Sequence, residues 1–282
     1  MKVMVTGYTG QLGYDVVKRG QKQGLDMVGV STKDFDLTKE EEVTSYIEKV
    51  NPDAIIHCAA YTAVDQAEDD KENCWNVNVK GTTYIAQAAK KIGAKFMYIS
   101  TDYVFDGQGE QPFEVTDETT PTGYYGQTKL AGEKAVQELL DHWFIVRISW
   151  VFGINGKNFV KTMLRLAETK EELNVVGDQF GSPTYTFDLA RLLIDMIQTD
   201  KYGTYLASNE GVCTWAEFAE EIFAQSEKDV KVNAISTEEY PTRADRPKNS
   251  RMSKQKLVDN GFHRLPDWRG ALQRYLIELE QE

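Results

Sequence analysis

The chain has 282 residues, with 32 Lys+Arg against 44 Asp+Glu, a formal net charge of −12, and 41% hydrophobic residues. That composition is typical of folded globular proteins, and its acidity works against a nucleic-acid footprint, which needs clustered Lys/Arg to neutralise phosphates. The opening MKVMVTG lacks the apolar run of a signal peptide, and no stretch approaches ~20 consecutive apolar residues, so no membrane partner is expected.

The three cysteines, Cys58, Cys74 and Cys213, follow neither a zinc-ligand nor a disulfide spacing. They point to a reducing, cytoplasmic setting. In the first half, short apolar runs alternate with longer amphipathic stretches: Lys2 to Val5 then Leu12 to Gly20, Asp26 to Val30 then Thr38 to Val50, Ala54 to Cys58 then Cys74 to Ile92. Phe96 to Ile99 follows as another strand. This rhythm predicts βαβ units, hence an α/β fold with a doubly wound parallel sheet. Thr38 with Glu41 reads as a capping box, and Asn51-Pro52 closes that helix. A helix from Tyr125 to Leu140 leads into a strand from Phe144 to Ser149. Residues 1–149 therefore form a Rossmann-type domain.

Beyond Val151 the rhythm changes and loop signals become denser. A helix from Asn158 to Thr169, a turn at Gly177-Asp178, a capping box at Thr214 and Glu217, and a final helix capped by Asp267 are expected. Residues 150–282 read as mainly a smaller C-terminal substrate-binding lobe. A segment near 181–206, including a helix from Asp188 to Gln198, is expected to rejoin the first domain.

Gly7, Gly10 and Gly13 form G-x-x-G-x-x-G between the first strand and the first helix. Glycines there permit a tight turn and let the backbone and helix N-terminus approach a pyrophosphate. The end of the second strand should then meet the adenine ribose, and it reads Gly29-Val30-Ser31-Thr32-Lys33, without an acid to accept from a free 2′-hydroxyl. Ser31, Thr32 and Lys33 could donate to a 2′-phosphate, which favours NADPH while leaving NADH open. Asp36-Leu37 lies just beyond, at the adenine edge or as a helix-capping aspartate.

Tyr125 and Lys129 stand at i and i+4, which on a helix shares a face. A phenol of ordinary pKa about 10 is a poor proton donor or acceptor at neutral pH, and a nearby cation lowers it toward the working range. Thr101, at the carboxyl end of a strand, faces the crevice where open α/β sheets bind ligands and could hydrogen-bond a substrate oxygen.

These residues together resemble the extended short-chain dehydrogenase/reductase superfamily. His57-Cys-Ala-Ala-Tyr-Thr-Ala-Val-Asp65, Ser100-Thr-Asp-Tyr-Val-Phe-Asp106, Tyr125-Gly-Gln-Thr-Lys-Leu-Ala-Gly-Glu133, Arg147-Ile-Ser-Trp150, Asn158-Phe-Val-Lys-Thr-Met-Leu164 and Arg246-Pro-Lys-Asn-Ser250 resemble, more narrowly, the dTDP-4-dehydrorhamnose reductase family. The similarity runs nearly end to end. It implies hydride transfer from NAD(P)H to C4 of dTDP-4-dehydro-L-rhamnose, giving dTDP-L-rhamnose for surface polysaccharides. It makes Tyr125 the proton donor, Lys129 its partner and ribose anchor, and Thr101 the group that polarises the carbonyl. It also places Gly10-Gln11-Leu12, Asp36-Leu37 and Ala59 to Thr62, with Ala60 and Tyr61 between, on the cofactor. Thr101, Asp102, Trp150 and Asn158 fall on the sugar nucleotide. Without the resemblance, Trp150 reads equally as a sugar cover or as an interlobe packing residue.

Gly123 stands where family members commonly carry asparagine, and His57 replaces another asparagine. Some members bind magnesium through glutamates at a dimer interface. Here Asp15 falls at the first such position and apolar Phe187 at the second, a poor set for a hard cation, so magnesium is doubted and monomer and homodimer both stay open. Arg246, Asn249 and Ser250 could hold the substrate's diphosphate, Arg246 through a charge-assisted fork, or belong to a solvated loop. His57, His142 and His263 lack metal or triad spacing and read as structural. The alternatives are another sugar-nucleotide ketoreductase or epimerase, or a non-catalytic NADP-binding subunit. A 4,6-dehydratase would need a glutamate after Asp102, where Tyr103 stands.

Overall fold

Val3, Met4, Val5, Ala54, Ile55, Ile56, Phe96 and Met97 have no exposed surface, as expected of strands covered on both faces. The computed structural model describes residues 1–281. In chain order the elements begin β1 (Lys2–Thr6), α1 (Gln11–Lys22), β2 (Asp26–Val30), α2 (Glu40–Val50), β3 (Ala54–His57), α3 (Lys71–Trp75), a π-helical turn (Asn76–Gly81), α4 (Thr82–Ile92), β4 (Lys95–Thr101), α5 (Tyr124–Leu139) and β5 (Trp143–Ile148). They continue with β6 (Val151–Phe152), α6 (Phe159–Leu166), β7 (Glu172–Val176), β8 (Phe180–Gly181), β9 (Thr184–Tyr185), α7 (Thr186–Ile197), β10 (Gly203–Ala207), β11 (Cys213–Thr214), α8 (Trp215–Gln225), β12 (Lys231–Ile235), α9 (Gln255–Asp259) and α10 (Trp268–Leu279).

The six-stranded sheet runs β10-β5-β4-β3-β1-β2, with every neighbouring pair parallel. Leu12 and Val16 of α1 and Leu189, Leu193 and Ile197 of α7 share a core on one face. Val43 and Ile47 of α2, Ile85 and Ala89 of α4 and Val136 of α5 fill the other. The architecture is α/β, with a doubly wound Rossmann-type sheet. Order reverses between β3 and β4 on one side and β1 on the other, so the carboxyl ends of β1, β3 and β4 open onto the crevice expected at a switch point.

A second core gathers Phe152, Val160, Tyr185, Phe218, Trp268 and Tyr275 beneath α6, α8 and α10. Around it lie three small ladders: β7 with β12 and β6 with β9, both parallel, and β8 with β11, antiparallel. The chain returns from this part to the large sheet through α7, which packs on α1, and β10, which pairs with β5.

Several local expectations change. The Thr38–Glu41 box does not form: Thr38 donates its N–H and hydroxyl to Asp36 Oδ1 at 2.9 and 2.7 Å, and α2 starts after Lys39 with no side-chain cap. A carboxylate two residues away is the stronger acceptor and draws the hydroxyl off the helix. Glu40, Glu41 and Glu42 in the first turn still suit the positive end of the α2 dipole. The Cys74–Ile92 helix is interrupted by the π-helical turn. The Thr214–Glu217 capping box and the Asp267 cap are both present.

Candidate active site

Gly7 has φ +68°, and a Cβ there would lie 2.9 Å from the Ala59 backbone. A Cβ on Gly13 would lie 2.3 Å from the Gly7 carbonyl oxygen, so the loop closes this tightly only with glycine. Gly10 caps α1 without a side-chain hydrogen bond, and the first turn holds no acid. Uncapped N–H groups at the end of a twelve-residue helix, bordering a crevice, fit a pyrophosphate.

That crevice has a volume of about 820 Å³ and is lined by the glycine loop from Gly7 to Gly13, by Ala59, Ala60 and Thr62, and by Thr101, Asp102, Tyr125 and Lys129. A second cavity of about 680 Å³ lies against it, walled by Met163, Val175, Gln179, Tyr240 and Arg243. Tyr103, Trp150, Phe159, Trp215 and Arg246 border both, which makes one continuous cleft.

Four chemical groups meet on its floor. Thr101 ends β4, and its hydroxyl donates to Asp102 Oδ1 at 3.0 Å and accepts the Tyr103 N–H at 3.2 Å. Tyr125 and Lys129 project from α5 and are buried. Lys129 Nζ donates to the Ile99 carbonyl at 2.8 Å and lies 4.1 Å from the centroid of the Tyr98 ring. Burial lowers its pKa to about 7, with Glu133 opposing the shift. Burial moves the Tyr125 phenol the other way, well above the ordinary range, despite the Thr101 hydroxyl beside it. The direction is opposite to the lowering expected from a neighbouring cation: desolvation dominates, and the Lys129 ammonium is turned onto the Ile99 carbonyl. Asp102 is raised to about 6 by burial, with Ser250 and Thr101 pulling it down, and its Oδ2 has no hydrogen-bond partner.

The π-helical turn enters the site through Asn78. Its Oδ1 accepts the Tyr61 N–H at 2.8 Å, while its Nδ2 donates to the Tyr61 carbonyl at 3.1 Å and to Thr128 Oγ1 at 3.0 Å. The Ala59–Thr62 segment is thus tied to α5. Nearby, His57 contacts the hydroxyls of Thr6 at 2.7 Å and Thr82 at 3.1 Å, and burial lowers its pKa to about 3.

Other expected site residues lie elsewhere. Asn158 borders neither cavity. Its Oδ1 caps α6 through the Lys161 N–H at 2.9 Å, and its Nδ2 donates to the Gly153 carbonyl, Gln11 Oε1 and the Tyr275 hydroxyl. It is a strut between the glycine loop and the second core. Asn249 is also a strut, donating to the Gln108 and Gln111 carbonyls. The Ser31 hydroxyl donates to Asp34 Oδ2 at 3.1 Å, beside the Ser31 N–H at 2.7 Å. An acid therefore does face this loop, because the turn folds residue 34 back onto residue 31. Asp36 accepts from Thr38, and Leu37 packs against Gly81. Asp15 accepts from the Thr186 hydroxyl at 2.5 Å, and Phe187 is exposed.

Trp150 adopts φ +49° and stacks on Trp215, with ring centroids 3.7 Å apart. Trp215, Tyr103 and Asp65 border the cleft without having been assigned a binding role from the sequence. An aromatic residue after a capping threonine carries no local mark of its surroundings.

A family model described as the RmlD substrate binding domain matches residues 1–281. The chain belongs to this family. It is 40% identical to the dTDP-4-dehydrorhamnose reductase of Escherichia coli K12, over 99% of this chain and 98% of that one. It is 39% identical to the spore coat polysaccharide biosynthesis protein SpsK of Bacillus subtilis, over 98% and 97% of the two chains. Among solved structures, a Bacillus anthracis dTDP-4-dehydrorhamnose reductase in complex with NADP superposes with a TM-score of 0.96 at 42% identity, covering 98% of this chain and 99% of that one. Among the described residues, no helix is long and apolar enough to cross a membrane.

Proposed function

We propose that this chain catalyses the NADPH-dependent reduction of the C4 keto group of dTDP-4-dehydro-L-rhamnose to dTDP-L-rhamnose, a precursor of surface polysaccharide, and that it works in the cytoplasm. The observation that carries this reading is the position of Thr101, Tyr125 and Lys129, buried together in the cavity that the glycine loop also lines, next to the second cavity.

When bound, the cofactor supplies the hydride for C4; its pyrophosphate is held by the backbone of Gly7 to Gly13 and the N-terminus of α1. The remaining work is done by side chains. As C4 gains the hydride its oxygen gains charge, and the Thr101 hydroxyl, turning from Asp102 Oδ1, donates its hydrogen bond to that oxygen. Tyr125 delivers the proton. Lys129 steadies the phenolate left behind and anchors the cofactor ribose. Trp150 and Trp215 cover the sugar and exclude water.

The test is NADPH oxidation by the purified protein supplied with dTDP-4-dehydro-6-deoxyglucose, with and without the 3,5-epimerase that converts it to the rhamno-configured ketone. Oxidation that depends on the epimerase is expected. Equal oxidation without it assigns a different 4-keto sugar, and cofactor binding without oxidation assigns a non-catalytic role.

A further inference from the structure

Arg246 sits where the two cavities join, and its guanidinium is already engaged. Nη1 donates to the Tyr103 hydroxyl at 3.1 Å, and Nη2 forms an ion pair with Asp65, 181 residues away in sequence. The other oxygen of Asp65 accepts the Ala244 N–H at 3.2 Å. One carboxylate thus holds both the backbone and the cation of the loop that carries Tyr240 to Pro247 along the cavity wall. The neighbouring pair, Arg243 with Asp69, has side chains 70% and 61% exposed and contributes little, as exposed pairs do. Arg246 and Asp65 are 27% and 41% exposed and border the cavity itself.

An acid lining a site for a diphosphate repels the ligand unless its charge is committed. A guanidinium carries five N–H donors, so bonds to Tyr103 and Asp65 orient its plane and leave donors for phosphate oxygens. Tyr103 in turn meets the Tyr125 ring edge-on, with centroids 5.6 Å apart, so the anchored cation stands next to the reducing centre. We propose that Asp65 is a positioning residue for sugar-nucleotide recognition: it pins the 240–247 loop and presents Arg246 to the substrate's diphosphate. The proposal rests on the reading of the cleft as a dTDP-sugar site.

The experiment is a double-mutant cycle between Asp65→Ala and Arg246→Ala, reading KM and kcat for the dTDP-sugar, NADPH affinity, and dTDP binding by calorimetry. Asp65→Ala is expected to raise KM and weaken dTDP about tenfold or more, with kcat and NADPH affinity changed by about twofold at most, which is a loss of ground-state binding. The double variant should be no worse than Arg246→Ala alone, because the two residues act through one contact. Asp65→Glu should recover part of the loss, and Asp65→Asn, which keeps an acceptor for the Ala244 N–H, should fall between. Retained NADPH affinity shows that these variants fold. An unchanged or lowered KM in Asp65→Ala, or losses that multiply in the double variant, overturns the proposal while normal wild-type turnover leaves the substrate reading intact. A wild-type protein that neither turns over the sugar nor binds dTDP overturns both together.

Discussion

Glu133 and Arg147 form a two-pronged pair beneath the catalytic helix. Arg147 Nε donates to Glu133 Oε1 at 2.9 Å and Nη2 to Oε2 at 2.7 Å, with both side chains buried. The Ser100 hydroxyl, next to Thr101, also donates to Glu133. Glu133 lies one turn beyond Lys129 on α5, while Arg147 and Ser100 lie on adjacent strands, so this contact sets the depth at which Tyr125 and Lys129 enter the cleft.

Removing one partner leaves the other charge buried and unpaired. Glu133→Gln should therefore lose about 3–5 kcal/mol of stability, measured by urea denaturation, since Arg147 Nη1 already lacks a hydrogen-bond partner. Replacing both residues with apolar ones of similar size should recover much of that loss.

Tyr125→Phe should retain NADPH affinity while turnover falls by roughly 10²–10⁴-fold, the usual worth of a positioned acid. Steady-state kinetics and cofactor fluorescence separate the two effects. Near-normal turnover would assign the proton to another group.

Lys129 and Asp102 give opposite slopes of stability against pH. Lys129 has a folded pKa of about 7 against an ordinary 10.5, so between these values the unfolded chain binds more protons and stability rises with pH. Asp102, at about 6 against 3.8, makes the folded chain the better proton binder, so its contribution is full below 3.8 and is lost as pH rises toward 6. Denaturation curves of the protein without cofactor, taken across both windows, should show each slope vanish in Lys129→Met and Asp102→Asn respectively.

Gly13→Ala adds a methyl group that would lie 2.3 Å from the Gly7 carbonyl oxygen and 2.8 Å from the Tyr8 Cα. Both obstacles are backbone, so the loop must open. An overpacking cost of about 1–3 kcal/mol is expected. NADPH affinity, read by fluorescence titration, should fall at least about tenfold if that strain is relieved by displacing the pyrophosphate loop.

Much of the fold is legible in short windows. Apolar runs mark the strands, the glycine loop marks the first βα turn, and Thr214 with Glu217 marks a helix start, because each signal is exchanged among residues a few positions apart. The cleft floor was legible too: Thr101, Tyr125 and Lys129 are brought together by β4 and α5, which lie next to each other in the chain. Partner choice was not. Lys129 turns to the Ile99 carbonyl, Asn158 to Gln11 and Tyr275, Asn78 to the Tyr61 peptide, and Arg246 to Asp65. These bonds join residues that only packing brings into reach, and a side chain's polarity does not say which distant partner will satisfy it. The sequence by itself determined the α/β rhythm and the chemistry available at the strand ends. Only the tertiary structure decided that β10 takes the edge beside β5, that desolvation dominates at Tyr125, and that Tyr103, Trp150, Phe159, Trp215 and Arg246 join two cavities into one cleft, because desolvation and long-range contacts exist only once the chain has folded.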